Sequence, residues 1–219
     1  MQHVVWDWNG TLLHDLEQVV NSVNAALGAL GVEPIDADGY RAGYTRPVVK
    51  FYEHLLGRPV SDQEWERLDI EFHDAYRQAL TEAELAPDAC AAMDLVLKAG
   101  WTQSLLSMFA HDELVPVLEA KGIIDRMIAV DGLRKGRGGR KYGSLVRHLE
   151  RVAPMIGGRI DPTSVVMIGD ALDDAEAAEG LGIKCVLYDS GSHHRETLEA
   201  TGHPVADTLV DALKLGGVI

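Results

Sequence analysis

The chain has 219 residues, 47% hydrophobic and 25% charged, which is enough to bury a full core and typical of a globular protein. A formal charge of −14 argues against a nucleic-acid partner, and no stretch nears the roughly 20 apolar residues that a membrane helix needs. Cys90 and Cys185 match no metal or redox spacing and are expected as reduced core residues, and the absence of a signal-peptide pattern predicts a cytoplasmic protein.

Residues 2–6 read as a short buried strand that ends in the polar cluster beginning at Asp7. From 15 to 86 the pattern is helical. "LEQVVNSVNAALGAL" and "RPVVKFYEHLL" carry apolar residues at helical spacing, and "SDQE" at Ser61–Glu64 fits a capping box opening a helix to about Glu82. After Pro87 helices alternate with the strands "WTQSLLS", "RMIAV", "SVVMIG" and "KCVLY", and two helical segments close the chain. This order predicts an α/β fold, a Rossmann-like parallel sheet covered on both faces. The core would comprise residues 1–14 and 87–219, with a helical cap of residues 15–86 inserted after the first strand.

In open parallel sheets the ligand lies beyond the carboxyl ends of the strands. That rule selects Asp7 after the first strand, Ser107 after "TQSLL" and Gly169-Asp170 after "VVMI", with Lys141 at the start of a helix able to reach the same edge.

These residues, in this order, resemble the motifs of the haloacid dehalogenase superfamily, and phosphoglycolate phosphatases with a helical cap in particular. Asp7-Trp8-Asn9-Gly10-Thr11 matches D-x-D-x-T, Ser107 the second motif and Lys141 the third, for which Lys135 is the rival. Gly169-Asp170-Ala171-Leu172-Asp173-Asp174 matches the acidic fourth motif. The resemblance implies a magnesium-dependent phosphatase in which Asp7 attacks phosphorus and forms an aspartyl phosphate. It assigns Mg2+ to Asp7, the backbone carbonyl of Asn9 and Asp170, with Asp174 in the outer shell or holding Lys141. Gly10, Thr11, Ser107, Met108 and Lys141 would surround the phosphoryl group of a small phosphorylated metabolite. Arg46 and Tyr44, in "GYTRP", are the candidate substrate-facing residues of the cap.

Asn9 stands where the family's phosphatases carry the aspartate that acts as general acid and base. An amide keeps the shape but cannot move a proton, a loss of about 10² to 10⁴ in rate. Three readings follow. The first is a slower or differently assisted phosphatase, with His14 and Asp15 as candidates for the proton if they are more than a solvated pair on the linker. The second is a non-hydrolytic phosphate-binding or regulatory protein on the same fold. The third is a preparation in which Asn9-Gly10 has partly deamidated. The basic run "RKGRGGRK", residues 134–141, reads as a solvated loop or as an electrostatic funnel for an anion. "SHHRE" near residue 193 reads as a polar helix start.

Overall fold

The computed structural model describes residues 2–134 and 140–219, so Lys135 and most of the 134–141 run lie outside the described residues. The chain divides into two compact units. A sheet unit runs to His14 and resumes over Leu85–Gly191 and Arg195–Ile219, and a helical unit comprises Asp15–Glu84 with Ser192–His194.

The chain opens with β1 (His3–Trp6) and β2 (Leu13–His14) and then enters the helices α1 (Leu16–Ala29), α2 (Ala37–Gly43), α3 (Val48–Leu56) and α4 (Asp62–Ala79). It continues through β3 (Glu84–Leu85), α5 (Ala89–Lys98), β4 (Thr102–Ala110), α6 (His111–Ala120), β5 (Val130–Leu133) and α7 (Lys141–Val152). The remaining elements are β6 (Val165–Gly169), α8 (Leu172–Leu181), β7 (Lys184–Tyr188), α9 (Arg195–Glu199), β8 (Val205–Ala206) and α10 (Leu209–Gly216). Six strands form one parallel sheet in the order β5-β4-β1-β6-β7-β8. No helix among the described residues is long and apolar enough to cross a membrane.

The α/β expectation holds, and the sheet places β1 at its centre. Val4, Val5 and Trp6 are fully buried because helices cover both faces, which is why the strand reads as a continuous apolar run. β1 pairs with β4 from His3↔Thr102 to Trp6↔Leu105 and with β6 from His3↔Val165 to Trp6↔Ile168, so the residues after Trp6 emerge between two neighbours. Beneath that edge runs a polar chain. His3 Nδ1 meets Thr102 Oγ1 at 2.8 Å and His3 Nε2 meets Ser104 Oγ at 2.7 Å. Ser104 Oγ in turn meets His148 Nε2 at 2.6 Å, and His148 Nδ1 meets Asp131 Oδ2 at 2.8 Å. The chain links β1, β4 and β5 to α7, the helix that begins with Lys141. Burial, and then the nearby His148, push the His3 imidazole down to about 3, so its ring is neutral.

In the helical unit, Val20, Val23, Ala26 and Leu27 of α1 are buried at helical spacing, and Asn24 ties the loop after the helix by two 2.8 Å bonds to the backbone of Ile35. The capping box forms as expected: Ser61 and Glu64 satisfy each other's backbone amides at the start of α4. Tyr76, in the last turns of α4, donates its hydroxyl to Asp15 Oδ2 at 2.6 Å.

Several local expectations need correction. The third parallel strand is Val130–Leu133, not "RMIAV": residues 124–126 form a single 3-10 turn, and pairing shifts to a segment in which Gly132 fits against β4. A Cβ at Gly132 would lie 2.7 Å from Phe109 O, a contact only glycine avoids. β4 runs on past Ser107 to Ala110, while α4 stops at Ala79. Cys185 is buried but Cys90 is exposed, since α5 buries Ala89, Ala92, Met93 and Val96 and turns position 90 about 100° from that stripe.

Candidate active site

β1 delivers Asp7 to the carboxyl edge of the sheet, where its backbone amide still donates to Ile168 O at 2.9 Å. The chain then folds back tightly. Thr11 N and Leu13 N both donate to Trp8 O, at 3.2 and 2.9 Å, and Gly10 takes a positive φ of 70° at the turn. Asp7 is 6% exposed and Thr11 fully buried. Asn9 is half-buried.

Lys141, the first residue of α7, is buried and ion-paired through its Nζ with both Asp7 Oδ1 and Asp174 Oδ1. Asp174 sits in the first turn of α8 and accepts from the backbone amide of Ala171 at 3.1 Å through its other oxygen. A Cβ on Gly169 would lie 2.2 Å from the Asp174 carboxyl carbon, so the end of β6 is pared to backbone to admit this side chain. Asp170, 1% exposed, accepts from Thr11 Oγ1 at 3.3 Å. Its carboxylate is pressed between two glycines: a Cβ would fall 2.3 Å from Asp170 Oδ2 if built on Gly10 and 1.8 Å if built on Gly191.

Electrostatically the cluster is unbalanced. Asp7, Asp170 and Asp174 bring ligand oxygens within 4.8 Å of one another, and Lys141 is the ammonium that pairs with two of them. Desolvation, first, pushes the Asp7 carboxyl up to about 7; Lys141 opposes the shift and Asp170 adds to it. Asp174 is likewise raised by burial against the pull of Lys141, and Lys141 is held firmly protonated, its burial outweighed by Asp174 and Asp7. Three buried carboxylates facing one ammonium are a donor set suited to a hard divalent cation.

Of the residues selected from the sequence, Asp7, Gly10, Thr11, Lys141, Asp170 and Asp174 are thus brought together. Ser107 is 2% exposed and lies where the β4–β5 ladder breaks, between Leu106↔Asp131 and Ala110↔Leu133, and its hydroxyl accepts from Phe109 N at 2.9 Å. Met108 is half-buried beside it. Arg46 and Tyr44 belong to the helical unit, Arg46 exposed and Tyr44 stacked on Tyr40 with ring centroids 5.1 Å apart. His14 is exposed, whereas Asp15, expected as a solvated linker residue, is 1% exposed and bound by Tyr76. His193 precedes α9 as expected for a helix start, but it is buried, with Tyr44 at 5.5 Å between ring centroids. Sequence reasoning missed Ser190, whose hydroxyl donates to Gly10 O at 3.1 Å, and Gly191 against Asp170. Both follow β7, and the strand-end rule applied to that strand would have found them.

A family model described as HAD-hydrolase-like matches residues 141–212, the span that carries Lys141, Asp170 and Asp174. The phosphoglycolate phosphatase of Cereibacter sphaeroides is 26% identical over 225 residues, covering 98% of each chain. The N-acetylmuramic acid 6-phosphate phosphatase of Pseudomonas aeruginosa is 24% identical over 218 residues, 96% of this chain and 91% of that one. A crystal structure of a predicted phosphatase from Clostridium acetobutylicum superposes with a TM-score of 0.83 at 16% identity, covering 97% and 96% of the two chains. With its six-stranded parallel sheet, this chain is similar over nearly its whole length to phosphoglycolate phosphatases and, over residues 141–212, to the haloacid-dehalogenase-like hydrolase family.

Proposed function

We propose that the chain is a magnesium-dependent phosphatase acting on a small phosphomonoester, with Asp7 as its nucleophile. The observation that carries this reading is the buried cluster in which Lys141 joins Asp7 to Asp174 next to Asp170. Mg2+ would be held by Asp7, Asp170 and the backbone carbonyl of Asn9, and when bound it supplies the positive charge that lets an anionic phosphoryl group approach a carboxylate. Asp174, with one oxygen on Lys141 and the other on Ala171 N, orients the lysine.

An Asp7 oxygen attacks phosphorus while the bond to the leaving alkoxide breaks, giving an aspartyl phosphate. Water then attacks the same phosphorus, the bond to Asp7 breaks, and free phosphate and the carboxylate are returned. Ser107 and Lys141 bind the phosphoryl oxygens, with Gly10, Thr11 and Met108 forming the surrounding wall. The helical unit acts as a cap, and Arg46 and Tyr44 contact the part of the substrate beyond phosphorus. Asn9 can donate a hydrogen bond to the leaving oxygen but cannot protonate it, so poor leaving groups suffer most.

The test is hydrolysis of p-nitrophenyl phosphate with and without Mg2+ by the wild type, Asp7→Asn and Asn9→Asp. Turnover that needs Mg2+, vanishes in Asp7→Asn and rises in Asn9→Asp is the expected result. A silent wild type whose Asn9→Asp variant turns over would replace this reading with a phosphate-binding protein on an intact scaffold.

A further inference from the structure

A second cluster of charge lies on the sheet unit away from Asp7. β5 and the exposed side of α7 enclose a cavity of about 360 Å³ lined by Asp131, Arg134, Ser144, Arg147, His148 and Arg151, among others. None of Asp7, Ser107, Lys141, Asp170 or Asp174 lines it. β5 is two strands from β1, or roughly 10 Å across the sheet, and Arg147 is six residues, or about 9 Å, along α7 from Lys141.

Three arginines in one cavity stand out in a chain with a net charge of −14. The single carboxylate among the named lining groups is already committed. Asp131 Oδ1 accepts from Arg151 at 2.6 Å and Oδ2 faces His148 Nδ1 at 2.8 Å. Among the described residues neither Arg134 nor Arg147 has a carboxylate within ion-pairing distance; Arg147 reaches only Ser144 Oγ, at 3.1 Å. His148, 1% exposed and held on both nitrogens, makes the floor rigid.

Arg134 supplies the observation that points to a ligand. Its Nη2 lies 2.8 Å from His111 Nε2, while the backbone N–H of Gly132 donates to His111 Nδ1 at 3.1 Å. Burial, and then Arg134 itself, lower the His111 pKa, which favours the neutral ring. A neutral imidazole has one lone-pair nitrogen, yet N–H groups of Gly132 and Arg134 face both ring nitrogens, so one of these donors meets the ring N–H. Donor meets donor. An acceptor that takes both protons relieves the conflict, and a tetrahedral oxyanion does so while also taking N–H donors from Arg147.

We propose that this cavity is a second oxyanion site, separate from the Asp7 centre, which binds a phosphate group through Arg134 and Arg147. The group comes either as free phosphate or as part of a small organic phosphate, and both offer the same oxygens.

The test is an amide NMR titration of the full chain with inorganic phosphate and, separately, with phosphonoacetate as a non-hydrolysable organic phosphoryl compound. Gly132 reports on the cavity; Gly10 and Gly169 report on the Asp7 centre. The expected result is a saturable shift at Gly132 whose affinity falls about tenfold in Arg134→Gln and in Arg147→Gln, with the Gly10 and Gly169 responses unchanged. Tighter binding of one probe identifies which source the site prefers. Both side chains are exposed, and an unchanged spectrum elsewhere checks that the variants remain folded. The proposal fails if Gly132 stays still with both probes, or if its shift survives both substitutions.

Discussion

His3 makes the folded protein acid-sensitive in a way that can be measured on one side chain. Its imidazole is fully buried between Thr102 and Ser104 and its pKa is lowered from 6.5 to about 3, first by burial and then by His148. A histidine depressed in the folded state takes up its proton in the unfolded chain first. Its contribution is therefore complete above pH 6.5 and is lost as the pH falls from 6.5 toward 3. Linkage with these two values gives a loss of about 2 kcal/mol between pH 8 and pH 5, and about 4 kcal/mol by pH 3. For a chain of this size the first of these corresponds to a fall in Tm of roughly 4–8 °C. Other groups titrate over the same range, so the informative quantity is the stability gap between the wild type and His3→Gln, from urea unfolding at the two pH values. The gap should narrow by about 2 kcal/mol at pH 5. A gap that stays constant would mean that the folded protein accepts a proton at His3, and the neutral-ring argument would be wrong.

Gly191→Ala places a methyl group 1.8 Å from Asp170 Oδ2, displacing that carboxylate. Calorimetric Mg2+ affinity should fall by at least about tenfold. Tyr76→Phe removes the 2.6 Å bond to the buried Asp15 carboxylate and should cost about 1–3 kcal/mol in chemical denaturation, an effect absent from Tyr142→Phe, an exposed site. A thiol reagent should titrate Cys90 at once in the native protein and Cys185 only after unfolding, since Cys185 is 1% exposed and burial raises its pKa.

The carboxyl-edge cluster was legible because each member is an abrupt polar residue at the end of an apolar run or the start of a helix. Asp7 after "VVW" and Asp170 after "VVMIG" need no knowledge of what lies across the sheet. Long-range pairings leave no such trace. Nothing in "QHVV" announces that His3 meets Ser104, 101 positions away, or that Ser104 then meets His148. The position of β5 was misread for a related reason. Apolar "MIAV" has strand composition, but the pairing register is set by the close fit of Gly132 against β4, a tertiary contact. Asp15 looked like a linker acid because its partner, Tyr76, comes 61 residues later. Ser190 and Gly191 act through proximity to Gly10 and Asp170, and a serine and a glycine in a loop look like many others.

The central position of β1 also sets an order of events on the ribosome. His3 pairs with Thr102 on one side and Val165 on the other, so β1 waits for partners synthesised much later. At ordinary elongation rates the second partner follows after roughly 8–30 s. During that interval Val4, Val5 and Trp6, fully buried in the finished protein, have no sheet to enter. The helices of Asp15–Glu84, joined in their unit only by Ser192–His194, make most of their contacts within their own span and can condense first. Asp7 is therefore translated well before the strands that place it, and a nascent chain stalled before β6 would be a client for chaperones.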